Sequence, residues 1–91
     1  MEILKVSSNS NPNKVAGAIA GSLTKSEKVE IQAIGAGAVN QAVKALAVAR
    51  RFLEESGKDL FVVPGFIEIK IGDDVRTGIS FKVFLENNKN E

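Results

Sequence analysis

The 91 residues contain no cysteine and no histidine. The first absence excludes disulfides and thiolate metal sites, and the second removes the commonest general base and metal ligand. No apolar run approaches the roughly 18 residues that a membrane span requires. The first residues, MEILKVS, carry charge at the second position and read as a strand rather than a signal peptide. A cytoplasmic protein without a membrane partner is the expectation. Charge of one sign is missing too, because the formal net charge is only +1. A nucleic-acid partner would therefore be held by a local basic patch, with modest and salt-sensitive affinity per monomer. Oligomerisation would multiply such a patch. The carboxylates Asp73 and Asp74 fall in a turn with no implied pocket, so the sequence gives no reason to expect an enzyme, a bound metal, a cofactor or a small-molecule substrate.

What is present organises itself around the stretch Ile31 to Phe52, IQAIGAGAVNQAVKALAVARRF. With 44% hydrophobic residues, the chain has enough apolar material for one small core. We read a single domain over 1–86 and a flexible tail over 87–91. Val29 to Ile34 places branched residues at alternate positions and then meets Gly35-Ala36-Gly37, which fits a strand ending in a tight turn. From there the period becomes helical. Ala38, Val39, Ala42, Val43, Leu46, Ala49 and Leu53 share one side, with Asn40, Lys44, Arg51 and Glu55 opposite. Gly57 is placed to end this helix in the left-handed conformation. The turn resembles a dinucleotide-binding loop only superficially, since Asn40 stands where a third glycine is required.

Upstream, MEILKVS reads as a first strand with Leu4 and Val6 on one face. Asn11 before Pro12 predicts a capped helix to about Lys25 that buries Val15, Ala18, Ile19 and Leu23. Gly17 and Gly21, one turn apart, are expected to allow close approach of a neighbour. Downstream, LFVVPGFIEIKI and VRTGISFKVFL flank Gly72-Asp73-Asp74 and predict one long hairpin. Pairing Ile71 with Val75 puts Lys70 beside Arg76, Pro64 beside Lys82 and Val62 beside Phe84. Pro64 donates nothing to a ladder, which sends the third strand to an edge or to a bulge.

The element order is thus β-α-β-α-β-β in an α/β sandwich. Right-handed crossovers and an edge position for the third strand give a four-stranded mixed sheet of order 1-2-4-3 with both helices on one face. The open face is expected to carry Leu60, Val62, Phe66 and Phe84, an apolar set suited to a partner surface.

Three segments, LKVSSNSNPNKVAGAIAGSL, IQAIGAGAVNQAVKALAVARRF and VVPGFIEIKI, resemble the stage V sporulation protein S family over nearly the whole chain to about Leu85. That family is in turn similar to the Alba superfamily of dimeric nucleic-acid-binding proteins and shares its topology with the C-terminal domain of translation initiation factor 3. The resemblance implies an Alba-like fold, a role in regulating sporulation-type development, and binding of DNA or RNA as a homodimer or higher homo-oligomer. It also implies basic residues in the loop before the first helix and on the arm of the last two strands. Asn11, Asn13, Lys14, Lys70, Arg76 and Lys82 occupy those positions and are the candidate phosphate contacts. Glu68, Asp73 and Asp74 oppose them on the arm. Val62, Phe66 and Phe84 are the candidate dimer interface, and Phe66 and Phe84 also have the shape to stack on bases. The alternative function is a protein-interaction module that uses the open sheet face and binds no nucleic acid.

Overall fold

The structure is a computed structural model that describes residues 1–87. All but Asn87 of the tail assigned to 87–91 lies outside those residues. The elements are β1 (Glu2–Val6), α1 (Pro12–Ser26), β2 (Lys28–Ala33), α2 (Ala36–Glu54), β3 (Asp59–Ile71) and β4 (Asp74–Glu86). They form one sheet of order β1-β2-β4-β3. β1 and β2 are parallel, while β4 runs antiparallel to both of its neighbours. Pro64 lies on the outermost strand, where a missing N–H is tolerated.

Each helix forms and stops for local reasons. The Asn11 side chain accepts hydrogen bonds from the amides of Asn13 (2.9 Å) and Lys14 (3.3 Å), with Pro12 opening α1. α1 closes at Glu27, which adopts φ 69° and donates its amide to the Leu23 carbonyl. α2 closes through Gly57 at φ 70°, where the Gly57 amide donates to Glu54 and the Lys58 amide to Leu53. This double closure leaves few carbonyls of the last turn orphaned. The charged seam beside it is a bidentate contact: Arg50 Nε donates to Asp59 Oδ1 at 2.7 Å and Nη2 to Oδ2 at 3.0 Å. The contact ties the end of α2 to the start of β3.

Both helices cover the same sheet face. Ile19 and Leu23 of α1, Ala42, Ala45 and Ala49 of α2, and Val29, Ile31 and Val83 of the sheet are fully enclosed. Burying each of the larger aliphatic side chains contributes about 1.5–3 kcal/mol, and the alanines let the helices lie close to the strands. Three expectations need correction here. Val43 is 49% exposed, and Ala45 takes its place in the core. Ala18 is exposed on α1, where Ala16 and Ser22 are buried instead; Ser22 donates to the Glu2 carboxylate. Gly17 and Gly21 face open space, with nothing within 4 Å of where a Cβ would stand, so they bring no neighbour close.

The hairpin register also differs from the expected one. Ile71 pairs with Asp74, Lys70 with Val75 and Ile69 with Arg76, a shift of one residue. The connection is a two-residue loop, Gly72-Asp73, with Gly72 at φ 61°. That is the form that seats glycine at the first central position, whereas the expected register needed a three-residue loop. A slip of one exchanges the faces of one strand relative to the other. Leu60 and Val62 consequently pair with Leu85 and Val83 and pack on the core. The open face instead carries Phe61, Val63, Phe84 and Lys82, continued across the sheet by Glu30, Gln32, Ile3 and Lys5.

β2 reaches β4 only from Ile79 to Phe84. Beyond it, Ile67–Ile71 and Asp74–Gly78 continue as a two-stranded arm. Strands of 13 residues rise about 43 Å at roughly 3.3 Å per residue, which accounts for the long dimension of a molecule measuring 48 × 21 × 19 Å. Gly78 sits where the arm leaves the body. A Cβ there would stand 2.8 Å from the Ala33 carbonyl oxygen and 3.1 Å from Ile34 Cγ1, so only glycine lets β4 pass this close to the end of β2.

Candidate nucleic-acid interface

The parallel strands β1 and β2 both end toward the arm, and their carboxyl ends open into a crevice of about 630 Å³. Its walls come from five places: Lys5 and Val6 of β1, the loop at Ser7 and Ser8, Gln32 of β2, the entry into α2 at Ile34, Gly35, Gly37 and Ala38, and Ile69, Lys70 and Ile71 of the arm. Gly37 keeps the junction close, because a Cβ on it would lie 3.0 Å from Ser8 Cβ and press on the loop. The serine loop is held in shape by its own polar groups. The Ser7 amide donates to Ser10 Oγ at 2.9 Å, and Gln41 Nε2 reaches from α2 to the Ser10 carbonyl at 2.9 Å.

A shallower concavity of about 220 Å³ adjoins on the β1 edge, lined by Leu4, Lys5, Val6, Lys14, Val15 and Ala18. Lys5 belongs to both hollows and links Lys14 to Lys70. Among the described residues no carboxylate contributes to the lining of either one. In a chain whose charges almost cancel, this end of the sheet is a locally cationic surface, and such focusing attracts anions.

The six candidate phosphate contacts are distributed unevenly. Asn11 uses its side-chain oxygen to cap α1; the group that would donate to a phosphate is its Nδ2, which the cap does not use. Asn13 and Lys14 are exposed in the first turn of that helix. Lys70 and Arg76 are both on the arm, but the observed register pairs them with Val75 and Ile69, so they project from opposite faces rather than clustering on one. Lys82 lies about 20 Å from Arg76 along β4, at roughly 3.3 Å per residue. It faces Glu30 across the open face.

Glu30 is itself well satisfied, accepting from Gln32 Nε2 at 3.1 Å and from Ser80 Oγ at 2.8 Å. The Gln32 hydrogen bond, then that of Ser80 and the charge of Lys82, hold its carboxyl below the usual glutamate range against the opposing effect of burial. Lys82 therefore stands opposite a carboxylate whose charge offsets its own on this part of the sheet. The residue that sequence reasoning missed is Lys5. The alternation that put Leu4 and Val6 on one face already put Lys5 on the other, but its sharing of one hollow with Lys14 and another with Lys70 emerges only in the folded chain.

The three candidate interface residues separate as well. Val62 packs on the core. Phe84 is on the open face, its ring 5.3 Å from that of Phe61 and nearly parallel to it. Phe66 is 82% exposed, at the base of the arm on the helix side of the sheet but beyond the helices. Among the described residues there is no cluster of acidic side chains able to hold a metal ion, and no helix is long and apolar enough to cross a membrane.

An open sheet with two helices on one face, strand order 1-2-4-3 and a projecting terminal hairpin defines an Alba-like fold. The solved structure of Alba from Thermoplasma volcanium superposes with a TM-score of 0.60 at 14% identity, over 93% of this chain and 99% of that one. The family follows from the sequence match: the model of the family described as Stage V sporulation protein S matches residues 2–86, and the chain belongs to that family.

Proposed function

We propose that this member of the sporulation family is a regulator that binds DNA or RNA through phosphates, as a homodimer and with little sequence specificity. The observation that carries the reading is the absence of carboxylates from the lining of two adjoining hollows at the carboxyl ends of β1 and β2, bordered by lysines from three separate elements, Lys5, Lys14 and Lys70. Arg76 extends the same charge along the arm, so cations stand on both faces of a narrow two-stranded ribbon. A ribbon of that kind meets phosphates on either side when it enters a groove. The side chains reaching out from this surface are ammonium and guanidinium groups, which meet the phosphates of any sequence, and little sequence preference is part of the proposal. Phe61 and Phe84, stacked on the open face and only partly covered, supply the apolar surface for a second copy. Nothing in the site argues for catalysis.

Binding of duplex DNA and of single-stranded RNA, followed by gel shift at low salt together with solution mass, tests the reading. The expected result is a dimer that shifts both and releases them as salt rises. No shift of either at about 50 mM salt, in the regime where phosphate contacts are strongest, would remove it in favour of a protein-interaction role for the open face.

A further inference from the structure

The main crevice is larger and more apolar than phosphate contacts need. At about 630 Å³ it falls in the range of small-ligand sites, roughly 300–1,000 Å³. Val6, Ile34, Ile69 and Ile71 give it aliphatic walls, while Lys5 and Lys70 place two cations in its lining. Gly35 begins α2 without any side-chain cap, and the start of that helix faces the same space. A flat apolar body joined to one anionic group matches this combination of walls and charge. We propose that the crevice takes a single unpaired nucleotide, its base between the aliphatic walls and its phosphate at Lys5 and Lys70.

The inference rests on the nucleic-acid reading and narrows it. A base within a duplex is stacked and paired and cannot enter the crevice without being extruded, at a cost of a few kcal/mol. A base in a loop or at a strand end is already free. The crevice therefore favours nucleic acid with exposed bases, while the cations of the loop and arm serve any phosphate backbone. With aliphatic rather than aromatic walls, the site accepts any base of suitable thickness and discriminates little among them.

The test uses the full chain and two probes, adenosine monophosphate and inorganic phosphate. Titration followed by the methyl resonances of the wild-type protein is expected to show saturable binding of the nucleotide at least tenfold tighter than phosphate. The largest shifts are expected at Ile34, Ile69 and Ile71. Ile69→Trp fills the crevice and is expected to reduce nucleotide binding at least tenfold. Equal affinity for the two probes, or shifts confined to residues outside the crevice, overturns the inference and reduces the site to an anion contact. Duplex binding that persists in that case leaves the broader nucleic-acid reading standing. Loss of every nucleic-acid interaction in the wild-type protein overturns both. Because the methyl map is recorded on wild type, it decides the matter even if Ile69→Trp folds poorly.

Discussion

The body of the sheet and the arm that leaves it are built from the same two strands, yet they obey different rules. From Leu60 to Pro64 and from Ile79 to Leu85, β3 and β4 have a third strand and a helical layer against them. Val83 is fully buried and Phe81 is 7% exposed. From Ile67 to Thr77 the strands pair only with each other, and Ile71 and Val75 are more than half exposed. Burial decides residue choice in the body. In the arm, branched residues keep two strands extended while lysine and arginine set what the surface attracts. Substitutions in the body should therefore be felt as lost stability, and those in the arm as lost binding.

Cutting one side chain in each region puts the contrast under the greatest strain. Leu23→Ala removes a fully buried group and should cost about 3 kcal/mol of unfolding free energy. Val75→Ala, at 59% exposure, should stay within about 0.5 kcal/mol. Denaturant unfolding midpoints check both, and similar losses would mean that the arm is packed against something. At the boundary, Gly78→Val should cost about 1–3 kcal/mol by overpacking, since its Cβ would meet a backbone oxygen at 2.8 Å. It should also swing the arm away from the crevice and weaken binding. A Gly78→Val protein as stable as wild type would mean that β4 leaves the sheet by some other path than the close passage over Ala33.

Smaller effects refine the picture of the body. Gly17→Ala and Gly21→Ala add methyl groups to open space on α1 and should each stabilise by up to about 1 kcal/mol. Thermal melts would register this as a rise of several degrees, and a fall instead would reveal a partner on that helix face. The smallest effect concerns Glu30, whose folded-state pKa is depressed by its hydrogen bonds from Gln32 and Ser80. Its contribution is fully present above the unfolded pKa and is lost as pH falls through the lower folded one. The wild type should therefore lose more stability than Glu30→Gln across that acidic window. Parallel pH profiles of the two proteins check the sign.

How much of this was legible in the sequence depends on the region. The body was readable, because alternation in Val29 to Ile34, the helical spacing after Gly37, and Asn11-Pro12 each specify one local answer, and right-handed crossovers leave one strand order. The arm was less so. Ile67, Ile69 and Ile71 alternate cleanly, but Gly72-Asp73-Asp74 accommodates a loop of two or three residues, and apolar residues occur on both faces. Nothing in the pattern penalises a slip of one. That single ambiguity separated Lys70 from Arg76 and returned Val62 to the core. Lys5 escaped for a different reason: its partners, Lys14 and Lys70, are brought near it only by tertiary structure. Gly17 and Gly21 illustrate the converse, since a spacing often associated with close packing lies here on an open helix face.

In the proposed interface, phosphates are held by the arm and the β1 end, not by Lys82 in the middle of the sheet. Salt dependence of nucleic-acid affinity tests this for wild type, for Lys5→Ala/Lys14→Ala/Lys70→Ala/Arg76→Ala, and for Lys82→Ala. Removing one phosphate contact should flatten the slope of log affinity against log salt by about 0.9 on duplex DNA. The quadruple variant is expected to show a slope flatter by about 3 to 4 units per binding chain, and Lys82→Ala an unchanged one. A quadruple variant with the wild-type slope, or a Lys82→Ala variant as flat as the quadruple one, would place the phosphates elsewhere on the molecule.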